Sequence, residues 1–306
     1  RWSTPTTDRF MARIALKVDV DTLRGTREGV PALLSMLSAV EAEATFLFSL
    51  GPDHTGWALR RVFRPGFLKK VSRTSVVSNY GLRTLMYGVL LPGPDIGRKG
   101  AAEMRAAAAA GHECGIHTWD HVYWQDNVRQ RDAAWTRQQM QQSFERFTDI
   151  FGAAPTTHGA AGWQMNNEAF RQIDDWGMVY ASDGRGTAPY IPTVDGKACR
   201  HVQMPTTLPT LDELIGVDDL TEDNVHEAVL KLTEGDGDHI FTLHTELEGG
   251  KLAPVFKRLL SGWRAQGHQL VSMATYYQHI DRSDLPQMPV TWGEIPGRSG
   301  ELIIQP

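Results

Sequence analysis

The 306-residue sequence predicts an α/β fold, an imperfect (β/α) barrel of about six or seven parallel strands. Three observations carry that prediction. A strand, a helix and a strand follow one another within residues 12–50, which is a βαβ unit. The alternation resumes at Gly97 and runs to Ile280 with no sequence repeat. Residues able to carry chemistry fall at the C-terminal ends of the predicted strands, where strand-to-helix loops gather in such folds.

Taken in order, residues 12–18 read as a buried strand, apolar at Ala15, Leu16 and Val18. Residues 29–43 read as a helix, with Pro31 near its first turn and Val30, Leu33, Leu34, Leu37 and Val40 on one face. Residues 44–50 form the second strand, closed by Gly51 and Pro52. An insertion over 52–96 breaks the pattern. After it come a helix over 99–110 stopped by Gly111, a strand over 112–116, a helix over 136–151 and a short strand ending in His158–Trp163. A helix over 167–176 closed by Gly177 leads to a strand over 178–181 running into Ser182 and Asp183. Residues 184–219 read as irregular, and Thr221 caps a helix to Leu232. The strand over 239–243, a helix over 254–266, a strand over 269–272 and a helix over 273–280 complete the alternation. Residues 1–11 read as a disordered leader, 12–280 as one domain and 281–306 as a tail wrapping the surface.

Composition narrows the function classes. With 41% apolar residues the chain can build a sizeable core, and its net charge of −5 argues against a nucleic-acid partner. Two cysteines, Cys114 and Cys199, rule out a disulfide framework and favour a reducing compartment. No run of 18 or more apolar residues reads as a membrane span. The insertion is unlike the rest: residues 54–94 hold seven Lys or Arg (Arg60, Arg61, Arg64, Lys69, Lys70, Arg73 and Arg83) and no Asp or Glu. Leu82, Leu85, Met86, Val89 and Leu90 recur there at helical spacing. Basic amphipathic segments too short to span a bilayer suit an anionic membrane surface. Packing of the insertion on its own domain, with Arg outward, is the alternative, and charge of a single sign favours the membrane.

The chemistry begins at Asp19-Val20-Asp21, two carboxylates at the end of an apolar strand, where burial without a cation would be costly. His117 and His121 are spaced i, i+4, which predicts one face of a helical turn, and His244 again follows an apolar run. A carboxylate with two imidazoles gives three protein ligands and leaves a divalent ion an open position for water, as in catalytic sites. Each piece alone has a plain reading. His-x-x-x-His also occurs on solvated helices, Asp-x-Asp also caps helices, and a His after an apolar run can be a satisfied core residue.

Together, Asp19-Val20-Asp21, His117–His121, Ser182-Asp183 and Leu243-His244 resemble motifs of the polysaccharide deacetylase family, carbohydrate esterase family 4, over about Arg13 to Ile280. The resemblance implies a distorted seven-stranded (β/α) barrel and metal-dependent hydrolysis of a linear amide. In it Asp19 would be the general base, Asp21, His117 and His121 the ligands of Zn²⁺ (or Co²⁺, Ni²⁺ or Mn²⁺), and His244 the general acid. The stretches 19–31, 160–163, 180–186, 208–210 and 244–249 further resemble a branch of that family, the deformylases acting on 4-deoxy-4-formamido-L-arabinose linked to undecaprenyl phosphate, in the lipid A aminoarabinose modification that gives polymyxin resistance. That implies a lipid-linked sugar substrate and a peripheral place on the cytoplasmic face of the inner membrane. The wider alternative is an N-deacetylase of peptidoglycan or other amino-sugar polymers.

Within this reading the backbone N–H of Ala161 is a candidate oxyanion donor. Arg24, Arg27 and Arg185 are candidates for the lipid phosphate. Glu246 and Glu248 line the sugar pocket or support His121, and Trp163 stacks on the sugar or fills core. One departure stands out. The wider family's third motif begins with an Arg that would hold the catalytic Asp, whereas His158-Gly159-Ala160-Ala161-Gly162 occupies that place here, which leaves open what orients Asp19 and what Asp183 does.

Overall fold

A computed structural model of the chain describes residues 12–58 and 81–306. The expected leader at 1–11, and residues 59–80 of the basic insertion with all its cations except Arg83, lie outside the described residues.

Strand β1 (Arg13–Val20) is the central stave. It pairs in parallel with β2 (Thr45–Ser49) on one side, and β2 pairs with β3 (Glu113–Thr118). A parallel bridge from Ile116 to His158 brings the segment 157–159 alongside β3, and Ser182 N–H donates to His158 O, bringing in β4 (Tyr180–Ala181). β4 pairs with β5 (Val202–Gln203), Thr207 and Leu208 N–H donate to Ile240 O of β6 (His239–His244), and β6 pairs with β1. These seven staves close a ring, although only part of it forms a continuous sheet. A further strand, β7 (Gln269–Val271), pairs with Arg13–Ala15 at the other end of β1. The barrel is therefore distorted, as expected.

Helices α1 (Val30–Ala39), α2 (Ala101–Ala109), α3 (His121–Asn127), α4 (Ala133–Phe151), α5 (Asn167–Asp175), α6 (Val225–Leu232) and α7 (Ala253–Ala265) flank the staves. The main core lies between sheet and helices, with Leu16, Val18, Phe46, Phe48, Phe241, Leu259 and Trp263 buried, which accounts for the nearly continuous apolar reading of β1, β2 and β6. Alternate residues of β1 point the other way, into the ring, and these include Lys17 and Asp19. The polar interior that results is where the chemistry gathers.

Four expectations change. Residues 117–121 are not one helical turn: His117 lies in the last two residues of β3, while His121 opens α3 behind the N-cap Asp120, whose carboxylate accepts Tyr123 N–H. The helix after β1 opens with a π-helical turn over Gly25–Gly29, and α6 starts at Val225 rather than at Thr221. The tail does more than wrap the surface. Its strand Leu302–Ile304 buries Leu302 and Ile303, and Arg185 N–H donates to Ile303 O.

Candidate metal centre and active site

The site forms at the C-terminal ends of β1, β3 and β6, since the parallel register sets Asp19 opposite His244 and the β2–β3 pairing carries His117 to the same level. Asp21 Oδ1 lies 3.2 Å from His117 Nε2 and 3.4 Å from His121 Nε2, and the imidazole centroids are 5.2 Å apart. A tetrahedral ion with bonds of about 2.0–2.1 Å has ligand–ligand edges of about 3.3 Å, so both separations suit a shared ion. Hydrogen bonding supports the same conclusion. His117 Nδ1 lies 2.6 Å from Gly159 O, and a carbonyl can only accept, so Nδ1 carries a proton. A neutral ring would then turn the Nε2 lone pair toward an acceptor, Asp21 Oδ1, which is buried without a hydrogen-bond donor. Only a cation between or on these groups relieves that repulsion, and a divalent metal fits.

Electrostatics agree. Burial alone would raise Asp21, but His121, His117 and His244 outweigh it and hold the carboxyl well below the usual range. Burial would lower His117, and Asp19 with Asp21 pushes it up instead. The donor atoms of Asp21, His117 and His121 all lie within 4.8 Å of one another. The other such trio among the described residues, Asp174, Cys199 and His201, is already engaged: the Asp174 carboxylate accepts from Arg200 N, His201 N and His201 Nδ1, and burial pushes the Cys199 thiol up to about 12.

Asp19 and His244 flank the trio. Asp19 Oδ2 accepts from Lys17 Nζ at 3.2 Å, while Oδ1, 3.8 Å from His117 Nδ1, is buried with no hydrogen-bond partner. His244 Nδ1 is likewise buried without a partner. Its backbone N–H donates to Glu248 Oε2 at 2.7 Å. Burial would lower His244, yet Asp21, Asp212, Asp19 and Glu248 together raise it. Glu246 clamps the turn that carries Asp21: Oε1 accepts from Asp21 N, Thr22 N and Thr22 Oγ1 at 3.2, 2.9 and 2.7 Å. Burial, with Asp21 nearby, pushes Glu246 up to about 7, and burial does the same to Glu248.

The remaining candidates are placed as follows. Ala161 is buried at the head of a 3-10 turn, Ala161–Trp163, in which Gly162 and Trp163 both have positive φ. Trp163 is buried with its ring against the Arg185 and Arg298 guanidinium groups, at 4.9 and 4.2 Å, and its Nε1 donates to Thr206 Oγ1. Arg185 is buried and paired with Glu213 at 2.6 Å. Arg24 pairs with Glu28 at 2.9 Å beside a small cleft lined by Glu246 and Gly249, and Arg27 donates to Lys99 O. Asp183 does not reach His244. It binds His158 Nδ1 at 2.6 Å and Gln203 Nε2 at 2.7 Å, and these with His201 hold its carboxyl low against burial. Sequence reasoning overlooked Lys17 and the pairing of His158 with Asp183. Lys17 carried a signal, standing two residues before Asp19 and so on the same face of the strand.

A ring of parallel staves bearing an Asp-His-His trio at its C-terminal rim defines a hydrolase architecture, and the polysaccharide deacetylase family model matches residues 12–181. The chain belongs to the polysaccharide deacetylase family. It is 36% identical over 95% of its length, and 94% of the relative's, to the probable 4-deoxy-4-formamido-L-arabinose-phosphoundecaprenol deformylase ArnD of Shewanella sediminis. It is 28% identical over 92% of its length, and 98% of the relative's, to the protein of the same name from Wigglesworthia glossinidia brevipalpis. The crystal structure of a Mycobacterium smegmatis protein described as a polysaccharide deacetylase shares the fold, with a TM-score of 0.62, 16% identity and coverage of 96% of this chain and 98% of that one.

Proposed function

We propose that this protein is a metal-dependent amidohydrolase that removes the formyl group from 4-deoxy-4-formamido-L-arabinose carried on undecaprenyl phosphate, giving formate and the 4-amino sugar lipid used in lipid A modification. The observation that carries the chemistry is the convergence of Asp21, His117 and His121 on one point, with the unpartnered oxygen of Asp19 and the imidazole of His244 beside it. The substrate rests on similarity to the deformylases along nearly the whole chain.

An amide hydrolase needs an activated water, a place for developing negative charge and a proton for the leaving nitrogen. Asp21, His117 and His121 would hold the metal, Zn²⁺ or a similar divalent ion, which when bound lowers the pKa of water toward about 7 and polarises a carbonyl oxygen. Asp19 accepts a proton through Oδ1, the oxygen left free of Lys17. In this reading the Ala161 N–H donates to the carbonyl oxygen as it becomes anionic. His244, raised above the ordinary imidazole value, protonates the departing sugar nitrogen. Arg24, part-exposed beside the cleft lined by Glu246 and Gly249, is better placed for a lipid phosphate than the buried Arg185.

Residues 54–94 dock the protein on the anionic surface of the inner membrane, on its cytoplasmic side. Of the six exposed large apolar residues among those described, four (Leu82, Val89, Leu90 and Leu91) fall within ten positions of this insertion, and Leu90 is 76% exposed. No helix among the described residues is long and apolar enough to cross a membrane.

The deciding experiment is formate release by Zn²⁺-loaded protein from the formamido sugar lipid in anionic vesicles, compared with the N-acetylated analogue. Preferential deformylation is expected. Turnover of the acetyl compound alone would favour the family's N-deacetylase chemistry instead.

A further inference from the structure

Lys17 is the most anomalous residue in β1. It is fully buried in an otherwise apolar run, and it gives its ammonium to a single buried carboxylate oxygen, Asp19 Oδ2 at 3.2 Å. Burying an ammonium costs several kcal/mol, and a pair with one carboxylate seldom recovers more than it costs, so an apolar residue would serve the core at least as well. The surroundings are nevertheless built for it. Gly159 leaves room for the stem, since a Cβ there would come within 2.9 Å of Lys17 Cε, and Trp163 presents its ring face 5.4 Å from Nζ. Fixing Oδ2 also fixes the plane of the carboxylate and leaves Oδ1 as the free oxygen facing His117. At the position where an arginine was expected stands His158, whose Nδ1 is engaged by Asp183.

We propose that Lys17 is the positioning residue of Asp19: it holds one carboxylate oxygen so that the other is presented to the reacting water and kept off the metal. The inference rests on reading Asp19 as the general base. In Zn²⁺-loaded protein, Lys17→Met is expected to lower kcat for formate release about 100-fold or more while KM stays within about threefold, and Lys17→Arg, which restores a cationic donor, to recover most of the loss. In an Asp19→Asn background the Lys17→Met change should have almost no further effect. An equal loss in both backgrounds, or a folded Lys17→Met variant turning over at the wild-type rate, overturns the proposal.

Two readouts need no substrate, so they separate this inference from the identity of the sugar. With Co²⁺ in the site, Lys17→Met should change the visible spectrum, because an unheld Asp19 can swing onto the ion, whereas Lys17→Arg should leave it unchanged. In thermal unfolding the Lys17→Met and Asp19→Asn shifts should be strongly non-additive, the double variant recovering stability lost by either single one. Unchanged Co²⁺ spectra together with additive unfolding shifts overturn the proposal even if the formamido sugar proves not to be the substrate.

Discussion

Asp19 and Asp21 end the same strand two residues apart, and what separates their roles is the partner each one finds. Asp21 faces two imidazole nitrogens, and Asp19 gives one oxygen to an ammonium and keeps the other buried without a hydrogen-bond partner. Asp21→Asn or His121→Ala is therefore expected to abolish Zn²⁺ binding by isothermal titration, together with turnover. Asp19→Asn should retain Zn²⁺ within a few-fold and lose about 10²–10⁴ in kcat. His244 gives a pH test. As the proton donor it must be protonated, and its value lies above 6.5 in the fold, so kcat should hold at neutral pH and fall as pH rises through that raised value. Asp212→Asn removes one of the charges that raise it, so the alkaline fall should move to lower pH in the pH–kcat profile. The candidate ligands were legible in the sequence because they are short-range signals at strand ends. The role of Asp183 was not, since its partners His158 and Gln203 lie 25 and 20 positions away.

The elements that carry the site are held by close backbone approach. The π-helical turn Gly25–Gly29 packs on the turn Leu247–Lys251, and a Cβ at Gly29 would collide with Thr245 O, a backbone atom that cannot step aside. Gly29→Ala should thus destabilise the protein by about 2–4 kcal/mol in urea unfolding and weaken Zn²⁺ binding, because the same turns seat Asp21 through Glu246. Glycines at these places are visible in the sequence, but the reason for them is not. The same holds for His117 and His121. Their spacing suggested a helical turn, and the imidazoles converge because a strand ends and a helix begins between them, with Asp120 capping the helix. A four-residue spacing brings two imidazoles close in either geometry, so their proximity does not depend on the element that joins them.

At the scale of the molecule, the ring places the chemistry on one rim, with the described ends of the insertion, 52–58 and 81–96, joined to its elements. His54 binds Asp120 at 2.5 Å, directly before His121, and Trp57 Nε1 donates to Gly88 O, so the exposed apolar segment 82–91 is tied to the helix carrying a candidate metal ligand. A substrate anchored by a long lipid tail can be met from this side only if the rim rests on the bilayer. Replacing Leu82 and Leu90 with Glu is expected to lower binding to anionic vesicles in co-sedimentation by about tenfold or more, with no effect on Zn²⁺ affinity, and wild-type binding should weaken as salt rises. Vesicle binding equal in the variant and insensitive to salt would count against this surface.

The sequence by itself determined the α/β alternation, the core faces and the three candidate ligands that meet at the rim, because hydrophobic periodicity and strand-end chemistry are local properties of the chain. Tertiary structure alone decided which partner each charged group received: Lys17 for Asp19, His158 for Asp183, Glu213 for Arg185 and the turn of Asp21 for Glu246. Those pairings form where desolvation leaves a buried charge no alternative to its nearest complement, and which complement is nearest depends on how the staves close.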